Sequence, residues 1–229
     1  MSLRDFGFNE FWFILMAAQW TILLALIAFV GGGAVGMVIA ALRVAPARPL
    51  RWIATAYIQF FMGTPLLIQL FMAYYGASLV GYPPDAWAAA ALTFVLNGGA
   101  FFGEIFRGAI ESIPKGQWEA ATSLGFRFVR TLRLVIVPQA VRLMLPPTVG
   151  FMVQIVKSTS VASLIGLTEV ARAAVQVNTV TFEPVWVFGT ASLIYFALCW
   201  PLSLYASHLE KKFATGMVRK VEKPLVMSV

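Results

Sequence analysis

Few side chains in this 229-residue sequence can do chemistry, and the informative ones interrupt long apolar runs. Thr64, Gln69, Asn97, Lys157 and Ser158 are such interruptions. Counted from Arg51, Thr64 lies about 20 Å along a helix, and counted from Pro146, Lys157 lies about 16 Å along. Asn97 falls as deep when counted back from Asp85. Hydroxyl and amide groups at one depth, with one ammonium, suit reversible binding of a small polar solute rather than bond breaking. An ammonium in an apolar span is costly enough to mark a functional candidate, and here Lys157 would pair with a carboxylate. The bland alternatives are that Thr64 only caps a helix, that Gly98 and Gly99 only permit packing, and that Lys157 only pairs with a structural acid. Glu104 stands three residues before Arg107, a spacing that favours an ion pair, and is a gating candidate. One cysteine, Cys199, and one histidine, His208, leave no thiolate or imidazole set for a metal, and no nucleophile with an adjacent base is apparent.

The elements that must position these groups are membrane helices. The chain is 60% hydrophobic and only 12% charged, against about 25% charged residues in soluble domains. Five apolar stretches, about 12–42, 53–80, 86–107, 143–167 and 184–208, are each long enough to cross a bilayer core. Backbone groups in lipid must be satisfied within the segment, so the fold class is all-α, a polytopic membrane protein with a single transmembrane domain over 1–229. The first apolar run is too long for a cleavable leader and reads as a helix that stays. Lys and Arg concentrate in cytoplasmic loops. Arg43, Arg48 and Arg51 place the first loop inside. The turn at Tyr82, Pro83, Pro84 and Asp85 has no base and goes outside. Arg107, Lys115, Arg127, Arg130, Arg133 and Arg142 place the long third loop inside. The stretch 169–183 goes outside, and Lys211, Lys212, Arg219, Lys220 and Lys223 hold the tail inside. The N-terminus is then periplasmic and the C-terminus cytoplasmic. The net charge of +7 is explained by this topology, and nucleic acid is not a partner. The glycines at 31, 32, 33 and 36 suit close helix approach.

The cytoplasmic loop over 108–141 reads as two short helices. Pro114 suits a helix start and Gly125 the left-handed residue that ends one. Trp118, Ala120, Ala121 and Leu124 offer a small apolar face, and Glu119 adds a charge that can meet a base on a partner. The second helix, from about Phe126 to Val137, carries Arg127, Arg130 and Arg133 on one face. Residues alone leave this hairpin either a lipid-facing amphipathic element or a dock. A second irregularity is Gly63-Thr64-Pro65, read as a break where Thr64 caps a new half-helix and Pro65 takes its first position.

The order Glu119-Ala120-Ala121, three residues, Gly125, then Val135-Ile136-Val137-Pro138 resembles the EAA loop of ABC-importer permeases. Gly63-Thr64-Pro65-Leu66-Leu67, Gly103 to Gly108, Pro138-Gln139-Ala140-Val141-Arg142 and Lys157-Ser158-Thr159-Ser160 resemble the branch that imports polar amino acids, in the type I importer fold. The resemblance implies that Glu119, Ala120, Ala121, Gly125 and Pro138 couple the chain to an ABC ATPase. It implies a dimer with a second permease subunit, the same or different, a periplasmic amino acid-binding protein as donor, and a place in the bacterial inner membrane. Nucleotide then belongs elsewhere, since no G-x-x-x-x-G-K-[ST] loop occurs here. ATP and Mg would sit on the partner ATPase, with no cofactor on this chain and no enzyme activity of its own. Two departures stand out: Val135 and Val137 replace the usual Ile and Leu, and Met62 stands where many relatives carry arginine. The resulting expectation is an ATP-driven importer of a neutral or acidic polar amino acid. An ion-coupled secondary transporter is the alternative, and it lacks the internal repeats that such folds usually carry.

Overall fold

The computed structural model describes residues 5–79, 81–82 and 85–221, with side chains up to residue 213. Pro83 and Pro84 of the outer turn, the side chains of Arg219 and Lys220, and Lys223 lie outside the described residues. No strand occurs among the described residues. Among the described residues eight helical elements follow in order: α1 Phe8–Val44, α2 Arg48–Gly63, α3 Leu66–Leu79, α4 Ala86–Glu111, α5 Lys115–Ser123, α6 Phe128–Ile165, α7 Val170–Thr181 and α8 Pro184–Val221. Helices α1, α4, α6 and α8 are each long and apolar enough to cross a membrane, and the α2 and α3 pair makes a fifth if counted as one broken span.

Helices α1 and α4 form the central pair, and their sequences explain how closely they meet. A Cβ on Gly36 would lie 2.5 Å from the Phe102 Cβ and 2.9 Å from the Gly103 nitrogen. Gly33, one turn earlier on another face, has nothing within 4 Å. The expectation of close packing therefore holds for Gly36 but not for Gly33. Around this pair, Leu24, Leu70, Phe94, Phe102, Ile155 and Cys199 join α1, α3, α4, α6 and α8 in one buried cluster. Gly36→Val is expected to force the two helices apart at more than the ~1–3 kcal/mol typical of overpacking. It should lower the thermal unfolding midpoint of the detergent-solubilised chain clearly, whereas Gly33→Ala should leave it within error.

The 53–80 stretch is broken at Gly63-Thr64-Pro65 as expected, its two halves bent by 102°. Two other expectations need correction. The long third loop is shorter than 108–141, because α4 runs on to Glu111 and the second loop helix does not end near Val137. It continues as α6 through Pro138, Pro146 and Pro147 to Ile165, with a π-helical turn at Leu132–Ile136. The wider turn accommodates the missing N–H of Pro138. Finally, 169–183 is not an open loop. Val170, Ala173, Ala174 and Val177 bury one face of α7 against Ile14, Ala17 and Ala18 of α1 and Val187, Ala191 and Ile194 of α8.

Candidate functional site

The break at Gly63-Thr64-Pro65 creates a polar problem inside an apolar bundle. The Phe61 carbonyl would normally accept from the N–H four residues on, but that residue is Pro65, which has none. The Thr64 carbonyl loses its partner too, because the Ile68 N–H turns to the Pro65 carbonyl at 3.0 Å. Gln69 answers both. Its Nε2 donates to the Phe61 carbonyl at 2.8 Å, the Thr64 carbonyl at 3.0 Å and the Thr64 Oγ1 at 2.8 Å. Asn97 of α4 completes the knot, its Nδ2 donating to Gln69 Oε1 at 3.0 Å and to the Phe61 carbonyl at 3.2 Å. Thr64 does not cap α3: its hydroxyl donates back to the Phe60 carbonyl at 2.7 Å, and Pro65, expected at the first helical position, occupies the capping position instead.

Three of the five sequence-selected residues are thus brought together, with Thr64, Gln69 and the amide nitrogen of Asn97 held in structural bonds. Beside the knot lies a pocket of about 160 Å³ lined by Thr64, Asn97, Gln154 and Ser158 among Phe61, Phe94, Phe101 and Phe151. That volume is below the roughly 300 Å³ at which drug-sized pockets begin, so it admits only a small solute. No charged side chain lines it. Within the described residues no hydrogen bond engages the Gln154 amide or the Ser158 hydroxyl. Lys157 is not brought to this pocket. It is exposed, and its ammonium lies within electrostatic reach of Cys199 on α8. Met62 also lines the pocket.

At the other end of the bundle α5 and the first turns of α6 form a hairpin. Pro114 sits at the capping position of α5 and Gly125 has φ of +80°, as their chemistry suggested. The face presented outward differs from the expected one. Ala121 is buried and Trp118 packs inward beside Ile113 and Ile136, stacking on Phe128 with ring centroids 6.0 Å apart. Glu119, Ala120, Gly125 and Pro138 are exposed, and so is Leu124, at 76% of its surface. Arg127, Arg130 and Arg133 lie together along a groove beginning at Gly125. Gln139, which had drawn no attention as a site residue, ties the hairpin to α6 by donating to Gln117 Oε1 at 3.2 Å and to the Val135 carbonyl at 2.7 Å.

Residues 32–215 match the family model of the binding-protein-dependent transport system inner membrane component. The chain belongs to this family. The permease is 35% identical over 206 residues to the probable amino-acid ABC transporter permease protein YckA of Bacillus subtilis strain 168, covering 90% of this chain and 91% of that one. It is 36% identical over 206 residues to the L-cystine transport system permease protein TcyB of the same organism, covering 89% and 88%. A solved chain described as "Crystal structure of an amino acid ABC transporter with histidines" superposes with a TM-score of 0.84 at 28% identity, covering 93% of the permease and all of that chain.

Among the described residues, Glu104, Glu111 and Glu169 have settled partners. Arg107 pairs with Glu104 on one side and Glu111 on the other, all on α4. The gating candidate Glu104 is thus held by its own helix. Glu169, used above only to mark a loop, is fully buried. Its Oε1 accepts from the Arg172 N–H at 2.9 Å and caps α7, while Oε2 accepts from the Tyr195 hydroxyl of α8 and from Thr21 Oγ1 of α1 at 3.4 Å. An acid just before a short amphipathic run was the available signal, since such a residue favours a helix N-cap.

Proposed function

We propose that the permease passes a neutral polar amino acid across the bacterial inner membrane, powered by ATP hydrolysed on a separate subunit docked at the α5 hairpin. In this reading the N-terminus is periplasmic and the C-terminus cytoplasmic, a second permease subunit completes the pathway, and a periplasmic binding protein delivers the solute. ATP and Mg belong to the docked subunit. The observation that carries the reading is the small uncharged pocket beside a helix break, where Asn97, Gln154 and Ser158 offer hydrogen bonds among aromatic walls. Discontinuous helices are where transporters place such sites. The names of the relatives, which include a cystine permease, support an amino acid as cargo. The absence of charge in the lining disfavours cationic and acidic cargo alike, and Lys157, outside the lining, gives no reason to prefer an acidic one.

The exposed Glu119, Ala120, Leu124 and Gly125 support docking. A small, protruding apolar tip with one acid and a basic groove behind it is a surface that a partner can grip. The pocket is tested by Gln154→Leu combined with Ser158→Ala in the assembled complex. Loss of two hydrogen bonds worth about 0.5–1.5 kcal/mol each is expected to weaken the apparent affinity of L-glutamine uptake about tenfold, with basal ATP hydrolysis unchanged. Wild-type affinity in that variant removes the pocket from the transport path.

A further inference from the structure

The end of α1 and the start of α2 hold two guanidinium groups that the transport reading does not use. Arg43 lies in the last turn of α1 and Arg51 in the first turn of α2, and together with Trp52, Thr55 and Gln59 they line a groove of about 570 Å³. Arg43 does not reach out to water as a simple topology marker does. It is half-buried: its Nη1 donates to Thr55 Oγ1 at 2.7 Å, and the Thr55 hydroxyl in turn donates to the Arg51 carbonyl at 2.7 Å. The Arg43 Nε is enclosed and has no acceptor. Among the described residues no carboxylate forms an ion pair with Arg43 or Arg51. Glu104 is near enough to act on Arg43 electrostatically, but Arg107 already holds its carboxylate.

The groove thus presents two guanidinium groups, one half-buried and one exposed, with no carboxylate among the described residues bound to either. An oxyanion in the groove would meet both. A phosphodiester suits the planar fork of arginine best, because it offers several strong acceptor oxygens on one negative centre. The source of that phosphate follows from what flanks the groove. Trp52 and Ile53, at the same end of α2, are 77% and 63% exposed, an aromatic and an aliphatic side chain where a span meets the headgroup layer. Basic pockets between spans on the cytoplasmic side attract anionic lipid headgroups.

We propose that the groove between Arg43 and Arg51 binds the phosphate headgroup of an anionic phospholipid of the cytoplasmic leaflet, whose chains lie along the exposed apolar flank of α2. This rests on the proposed orientation, which places this end of both helices inside. The lipid phosphate bridges the two guanidinium groups at the groove and so fixes the α1–α2 corner, from which α2 runs to the break.

The full chain is reconstituted in vesicles of phosphatidylcholine mixed with phosphatidylglycerol, extracted in mild detergent, and its retained lipid measured by native mass spectrometry. Preferential retention of phosphatidylglycerol is expected, falling on the order of fivefold for each arginine removed in Arg43→Gln and Arg51→Gln. Thr55→Val keeps every charge, and therefore insertion, and is expected to lower retention by a smaller factor through loss of the hydroxyl that holds Arg43. Unchanged retention in both the double arginine variant and Thr55→Val overturns the proposal. So does displacement of the lipid by inorganic phosphate, which assigns the groove to a free anion, or efficient cross-linking of Arg51→Cys to a second copy, which assigns it to a subunit interface. ATP-driven uptake of L-glutamine read in parallel separates the two claims. Lost preference with intact uptake counts only against the lipid site, and intact preference without uptake only against the transport reading.

Discussion

Gly125→Val is expected to leave the chain inserted in the membrane while reducing solute-stimulated ATP hydrolysis by the assembled complex to its basal rate. The reason is conformational. Gly125 sits at φ of +80°, where a Cβ would meet nothing within 4 Å, so the chain itself has space for a larger residue. The backbone does not accept it: the left-handed region costs an L-residue roughly 1–2 kcal/mol, and a β-branched one is an outlier there. The turn would relax by rotating away, breaking the bonds from the Gly125 N–H to the Thr122 carbonyl at 2.9 Å and from the Phe126 N–H to the Ala121 carbonyl at 3.1 Å. Those two bonds hold Leu124 outward and start the arginine groove. Gly125→Asn, which tolerates the left-handed region better, is expected to retain a substantial part of the stimulation. Equal and full stimulation in both variants would show that the geometry of this turn does not transmit coupling.

Gln69→Leu is expected to have the larger effect on the fold. It removes the amide that satisfies the Thr64 carbonyl at the break, leaves the Phe61 carbonyl with only the bond from Asn97 Nδ2 at 3.2 Å, and takes from that Nδ2 one of its two acceptors. Each buried polar group left unpaired costs about 1–3 kcal/mol, against a total stability of about 5–15 kcal/mol for typical domains. A marked fall in thermal midpoint and loss of uptake should follow. Asn97→Leu should be milder, because the Phe61 carbonyl keeps its bond from Gln69. Retention of full uptake and stability in Gln69→Leu would show that the break is held by packing alone.

The long spans were legible because an uncharged apolar stretch of span length has few other fates in a chain of this composition. The break was legible because Pro65 removes a donor, and the turn because Gly125 supplies a positive φ. What escaped the sequence was the direction of side chains. Thr64, Gln69 and Asn97 lie at a common depth, which counting residues could find, but that Gln69 spends its amide on the broken helix required the bend of 102°. Lys157 and Ser158 are neighbours on α6 and therefore point about 100° apart around the helix, so only Ser158 lines the pocket. The same rotation puts Ala121 inward and Ala120 outward on α5. Helix α7 was missed because its 12 residues are too few for a span, although its apolar residues at 170, 173, 174 and 177 carry a helical period. Glu169 was read for its place in a loop rather than for its capacity to cap that helix.

The measurement that bears most directly on the account is uptake of labelled L-glutamine into vesicles containing this chain with its ATPase and binding protein. Uptake is predicted to require internal ATP and the ATPase subunit, to proceed without any ion gradient, and to disappear in Gly125→Val. Uptake by the chain alone, driven by a proton or sodium gradient and indifferent to Gly125→Val, would contradict it.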